Sequence, residues 1–398
     1  MKVFFYRVYQ FVMLLASYMV KWPKPTLIEG ENSVLKIPQI LVEKGIRSVL
    51  LVTDKVITSL GLTAPLLQEL SKVGITCSVF DETVPNPTIG NIESALKIYH
   101  EKGARAIIAF GGGSSMDCAK GVGARVVNPN KTIPQMRGLL KVGKKLPLMI
   151  AVPTTAGTGS ETTIAAVISN PETHEKFALN DQKLIPHIAV LDPLLTLNLP
   201  PHITSTTGLD ALTHAVEAYI GRANTAETRQ YARDAVKLVF ENLNTAYANG
   251  KDVNARRNML KASYYAGVAF TRAYVGYVHA VAHTLGGFYS VPHGLANAVI
   301  LPVVLDFYGH SADRPLAELA DLIGITQPGE SESVKAQKFI AKIRELEASM
   351  AIPRKIEGIK ESDLSGMIRN ALREANPLYP VPREMFADEL RKVYDAIR

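Results

Sequence analysis

Cysteine is nearly missing from this chain of 398 residues, with only Cys77 and Cys118 present. Two thiols are too few for a disulfide framework or a cysteine-based zinc site. They suit a reducing compartment, so a cytoplasmic location is expected. Long hydrophobic runs are also missing. Val8 to Val20 is the main apolar stretch and is too short to span a bilayer comfortably. No small-x-small cleavage site follows it, so it reads poorly as a secretory leader. Phe4, Val8, Phe11, Val12, Leu15 and Met19 recur at helical spacing, which predicts an amphipathic helix docked on the protein or on a partner subunit. No stretch interleaves basic and aromatic residues, and the net charge of +7 is spread out, so no nucleic-acid partner is expected. No membrane partner is expected either. Repeats and low-complexity tracts are lacking too. What remains is an ordinary globular composition, 47% hydrophobic and 20% charged, long enough for two domains.

Short apolar runs alternate with helical patterns up to about residue 200. The runs are Ser48 to Val52, Thr76 to Phe80, Ala104 to Phe110 and Leu146 to Val152. Continuous apolar strands separated by helices predict a parallel sheet covered on both faces. Beyond Pro200-Pro201 the pattern is helical to the C-terminus. The expected organisation is an N-terminal helical extension over 1–22, a dinucleotide-binding α/β domain over 23–200 and an all-helical metal-binding domain over 201–398.

Two strand ends carry phosphate-binding chemistry. Gly111-Gly112-Gly113-Ser114 opens a helix, where unpaired N–H groups and the positive dipole end favour a pyrophosphate. Pro153-Thr154-Thr155-Ala156-Gly157-Thr158-Gly159 concentrates hydroxyls and small residues after another strand. Two such loops at the carboxyl ends of parallel strands can line one crevice. Asp54 ends a third strand. Its carboxylate suits the hydroxyls of an adenosine ribose and repels a 2′-phosphate, which favours NAD over NADP; helix N-capping explains it equally well.

The helical half holds a different chemistry. Asp210 and His214 stand at i and i+4, so they share a helix face. His279 and His283 repeat that spacing, and His293 follows a Gly286-Gly287 break. A carboxylate with neutral imidazoles suits Fe²⁺ or Zn²⁺. Spacing leaves open whether His279 works with His283 or with His293.

Five motifs in order resemble the iron-containing (group III) alcohol dehydrogenase family. They are PNPT at 85–88, GGGSSMDCAK at 111–120, PTTAGTGSE at 153–161, GLDALTHAVEAY at 208–219 and HAVAHTLGGFYSVPHG at 279–294. The resemblance implies an N-terminal Rossmann-like domain, an all-α C-terminal domain and a cleft between them, the dehydroquinate synthase-like superfamily architecture. It also implies NAD, a divalent metal (Fe²⁺ foremost, with Zn²⁺ as the alternative), a small alcohol or aldehyde substrate and a homodimer or higher homo-oligomer. By motif position it implies Asp210, His214, His279 and His293 as metal ligands. His283 then falls beside the substrate as a proton relay. The dinucleotide residues implied are Asp54, Gly112, Gly113, Ser114, Asp117, Thr154, Thr155, Thr158 and Lys176. Rival readings are a dehydroquinate synthase-like or glycerol dehydrogenase-like enzyme, and a non-catalytic NAD-binding subunit. The long N-terminal segment departs from the family's shorter members.

Overall fold

The computed structural model describes residues 1–171 and 175–398. The chain divides into two compact units, one of Trp22–Asn198 and one of Met1–Lys21 with Leu199–Arg398.

The first unit is built on β1 (Thr26–Glu29), β2 (Ser48–Val52), β3 (Thr76–Phe80), β4 (Ala106–Gly111), β6 (Leu148–Pro153) and β9 (Ile188–Leu191). They form a parallel sheet in the order β1-β9-β6-β4-β2-β3. Alternate residues of one strand feed opposite faces, as the two-residue strand period requires. Leu50, Val52, Ile107 and Ala109 pack into one core, while Val49, Leu51, Ile108 and Phe110 pack into the other. The flanking helices are α2 (Ile37–Glu43), α3 (Lys55–Ser59), α4 (Ala64–Lys72), α5 (Ile89–Glu101) and α6 (Gly113–Val127). The chain runs from β2 outward to β3, then returns to β4 on the other side of β2. That reversal is the topological switch point, where parallel sheets bind ligands beyond the carboxyl ends of their strands. A smaller sheet, β5 (Gly138–Leu139), β8 (Glu175–Asn180) and β7 (Ala165–Asn170), was not legible in the sequence. Its β7 and β8 are antiparallel and only half-buried, so they lack the continuous apolar runs that marked the main strands.

The second unit is helical, as expected. It comprises α1 (Lys2–Tyr18), α7 (Pro201–Ile220), α8 (Ala226–Ala248), α9 (Val253–Ala273), α10 (Tyr277–Tyr289), α11 (His293–Tyr308), α12 (Asp313–Leu322), α13 (Glu332–Ser349), α14 (Glu361–Ala375) and α15 (Ala387–Ile397). The centre is α7, buried continuously from Gly208 to Ile220 and packed against α8, α9 and α11. A helix buried all round has no solvent face, so any polar side chain on it must find a partner inside. Pro201 starts α7 rather than merely closing the preceding domain, because proline is well tolerated in the first helical turn.

The helix expected near the N-terminus is present as α1, and it meets its own chain through its polar side. Its buried residues are Gln10 and Ser17, and its large apolar side chains face outward. Gln10 donates to the carbonyls of Pro377 and Tyr379, and Arg7 to those of Val381 and Pro382. Arg7 also pairs with Glu384 at 2.8 Å. No single helix among the described residues is long and apolar enough to cross a membrane.

Candidate metal centre and dinucleotide loops

In the helical unit Asp210 and His214 stand on α7, His279 on α10 and His293 at the first position of α11. Each offers one ligand atom, and those atoms all lie within 4.8 Å of one another. Asp210, His214 and His279 are buried, and His293 is half-buried. The donor set therefore fits a divalent cation of intermediate softness. Gly294 makes the approach possible. A Cβ there would lie 2.4 Å from the Thr206 carbonyl oxygen of α7, so only glycine lets α11 begin so close to Asp210.

The spacing of HAVAH left His283 and His293 as rival partners of His279. Geometry groups His293 with the other three. His283 lies one turn along α10, its ring stacked on His293 with centroids 5.2 Å apart. Its Nδ1 lies 2.6 Å from Glu374 Oε1 on α14, an oxygen that also accepts the Tyr379 hydroxyl at 2.8 Å.

Two residues of this centre escaped the sequence reading. Glu217, also on α7, holds His279 Nδ1 at 2.6 Å through Oε2. It also accepts the backbone N–H groups of Gly276 and Val278, each at 2.9 Å. Burial pushes its carboxyl up to about 7, against those two N–H bonds. Burial, with the neighbouring imidazoles, drives His279 well below the usual histidine range, so its ring is neutral and able to ligate. This carboxylate–imidazole pair fixes the tautomer that presents Nε2 to the centre. Asn297, four residues past His293 on α11, donates Nδ2 to Asp210 Oδ1 at 2.6 Å and sits 3.2 and 3.1 Å from the Nε2 atoms of His279 and His293. The signals were available. Glu217 follows His214 by three residues in an otherwise apolar helix, and Asn297 follows His293 by four.

In the α/β unit the loops after β2, β4 and β6 come together. Of the two roles the sequence left open for Asp54, the helix cap is formed here. Asp54 Oδ1 caps α3 by accepting the N–H groups of Val56 and Ile57, and Ser115 Oγ donates to its Oδ2 at 3.4 Å. Gly111 has φ +148, and a Cβ there would meet Ser115 Oγ at 2.5 Å. Gly112 caps α6 without a side chain, which leaves the helix's first N–H groups to a ligand. A Cβ on Gly112 would lie 3.5 Å from Thr155 Oγ1, and one on Gly113 would lie 3.0 Å from Thr158 Cγ2. Thr154 donates its N–H to the Gly111 carbonyl, and Ser114 Oγ accepts the N–H of Asn86 in the PNPT turn.

Asp117 is placed differently from these. Its Oδ1 takes the Ser160 hydroxyl and its Oδ2 the Val167 N–H, so both oxygens hold protein groups. Lys176 lies on β8, in register with Ser169 of β7. A residue the sequence did not single out ties the loops from behind. Lys120 on α6 is fully buried, and its ammonium donates to Ser160 Oγ, Thr163 Oγ1 and the carbonyls of Thr163 and Ala165. Burial lowers its pKa to about 8, while Asp117 and Glu161 pull it back up. Glu161 is buried alongside and pushed up to about 7 by that burial.

Comparison with known proteins meets this geometry. Residues 24–193 match the iron-containing alcohol dehydrogenase model, and 204–398 match the C-terminal model of the Fe-containing alcohol dehydrogenase family. The chain belongs to the iron-containing alcohol dehydrogenase family. It is 37% identical over 369 residues to the 1,3-propanediol dehydrogenase of Klebsiella pneumoniae, covering 92% of this chain and 95% of that one. It is 36% identical over 379 residues to alcohol dehydrogenase 4 of Saccharomyces cerevisiae, covering 93% and 97%. The solved structure of an alcohol dehydrogenase from Oenococcus oeni superposes with a TM-score of 0.91 at 35% identity, covering 95% of this chain and all 100% of that one. The chain is therefore an NAD-dependent alcohol oxidoreductase, and it uses NAD with a divalent metal.

Proposed function

We propose that this dehydrogenase interconverts a small, weakly polar primary alcohol or diol with its aldehyde, and that Asp210, His214, His279 and His293 hold its metal. The observation that carries the reading is the convergence of those four ligand atoms within 4.8 Å, with Glu217 fixing the His279 ring from behind. Fe²⁺ is the ion the family is named for, and this donor set accepts it. When bound, a divalent ion supplies Lewis acidity toward an alcohol or carbonyl oxygen, and NAD supplies the hydride chemistry.

The protein's own residues set the geometry. Asn297 and Glu217 fix Asp210 and His279, so the donor set is preorganised rather than gathered on binding. His283 exchanges the substrate's proton through Nε2, because Glu374 already holds its Nδ1. Gly112, Gly113 and the first turn of α6 take the pyrophosphate, with Ser114, Thr154, Thr155 and Thr158 around them. The Oδ2 of Asp54 takes the ribose hydroxyls. Asp117 contributes by holding this loop in shape, and Lys176 is the cationic candidate beside it. The substrate class rests on the small and apolar residues around the histidines and on the 1,3-propanediol named for the Klebsiella relative. Soluble homo-oligomers in the cytoplasm complete the reading.

The test is a panel of alcohols, diols and polyols followed by NADH absorbance, run on metal-stripped, Fe²⁺-loaded and Zn²⁺-loaded protein. Short primary alcohols and diols should give the highest kcat/KM, and only with metal. A preference for polyhydric or anionic substrates would overturn the substrate class.

A further inference from the structure

The outward face of α1 is too apolar and too regular to be left to solvent. Phe4, Val8, Phe11, Leu15 and Tyr18 follow one another at intervals of four, three, four and three residues, with Phe5, Val12 and Met19 flanking them. That is the alternation of a helix–helix seam, in which knobs of one helix enter holes of another. These side chains are exposed: Phe4 by 75%, Phe11 by 59% and Met19 by 90%. The polar groups meanwhile face the protein. Arg7 and Gln10 clamp α1 to the 377–384 segment, and the Arg272 guanidinium covers the Tyr18 ring at 4.9 Å. The clamp fixes α1 in place and, Tyr18 under Arg272 apart, leaves the seam's large apolar side chains exposed among the described residues. Taking on the order of 200 Å² for each large side chain when fully exposed, the seam and its flanks present roughly 900 Å². That exceeds the largest apolar patch of a typical monomer and matches the roughly 800 Å² that each partner gives to a standard interface.

We propose that this face of α1 pairs with the same face of a second copy of the chain, about a two-fold axis. Three observations choose that occupant over a lipid surface. The spacing is that of a helix seam. A helix lying in a membrane surface carries lysines and arginines beside its apolar face, whereas the one cation within the seam's span, Arg7, is turned inward to Glu384. A self-complementary patch of this area is also what a two-fold pair needs, since both copies bring the same surface. The helix precedes residue 24, where the match to the family model begins, so this contact is an addition to the family's framework.

The experiment uses the full chain. Sedimentation velocity across the micromolar range compares the wild type with the double variant Phe11→Glu, Leu15→Glu. Val334→Glu, an exposed apolar position on α13, serves as the control for added charge. The proposal predicts that the double variant has half the wild-type assembly mass, that the control keeps the full mass, and that activity per subunit stays within about two-fold. Residue 11 is the midpoint of the seam, so two-fold pairing brings its two copies together. Phe11→Cys under mild oxidation should therefore give a covalent band at twice the chain mass. If the double variant keeps the wild-type mass, the proposal fails. It fails equally if mass is kept while the variant loses a wild-type affinity for phosphatidylcholine–phosphatidylglycerol vesicles; the face is then a lipid surface.

Discussion

The dinucleotide loops and the metal centre are built on opposite principles. In the α/β unit, the proposed site is made mostly of main chain. Glycines clear space, the first N–H groups of α6 are left without a side-chain cap, and side chains such as Asp117 and Lys120 hold the loops from behind. In the helical unit, the proposed site is made of side chains. Four of them converge from α7, α10 and α11, and the backbone contributes one permissive glycine, Gly294. Each site nevertheless rests on a buried glutamate raised to about 7, Glu161 in one and Glu217 in the other. A site made of side chains can be destroyed one residue at a time. A site made of backbone fails only when its scaffold moves.

The largest expected effect breaks one side of that comparison alone. His279→Ala should take metal content from one ion per chain toward none and abolish turnover, while NAD binding, followed by quenching of protein fluorescence, stays near wild type. Next is Glu217→Gln, which leaves all four ligands in place but puts an amide where the His279 N–H needs an acceptor. Metal affinity should fall about 10- to 100-fold, read by competition with a chelator. The mirror experiment is Lys120→Met in the other unit. It strands Asp117 and Glu161 without their buried cation and should cost on the order of 3–5 kcal/mol of that unit's stability. The KM for NAD should rise, with metal stoichiometry unchanged. If Lys120→Met strips the metal, its effect is not confined to the α/β unit.

The smallest effect is a pH dependence. Glu161 titrates near 4.5 when unfolded and at about 7 when folded. The folded state therefore holds the proton more tightly, and stability falls as pH rises from about 4.5 to 7. Glu161→Gln should flatten that decline in Tm. An unchanged slope would show that Glu161 does not titrate in this window.

The legibility of the two sites differed for the same reason. Continuous apolar strands and glycine turns announced the parallel sheet and the loops, because local sequence dictates both. Asp210 and His214 were readable because a helix turns i and i+4 to one face. Spacing alone could not choose His293 over His283, since the approach of His293 depends on how α11 meets α7. Lys120 was hidden because it looks like a surface charge until the helix carrying it is known to be buried, whereas Glu217 was signalled by its spacing from His214 but not picked out. The stripe on α1 was read correctly as a pattern. Whether that stripe meets this chain or a partner stayed open, because spacing fixes which residues share a face but not what the face meets. Arg7 and Gln10, finding carbonyls and Glu384 at 377–384, decided that.

The central claim is that this metal centre, preorganised in the helical unit, is what enables alcohol oxidation by NAD. It is tested most directly by titrating metal-stripped protein with Fe²⁺ under anaerobic conditions, while following NAD reduction by a short primary alcohol. Activity should rise linearly and break sharply at one ion per chain, and His279→Ala should show neither the break nor the activity. Full alcohol-dependent NAD reduction by the stripped protein, or an unchanged one-ion endpoint in His279→Ala, would contradict the account.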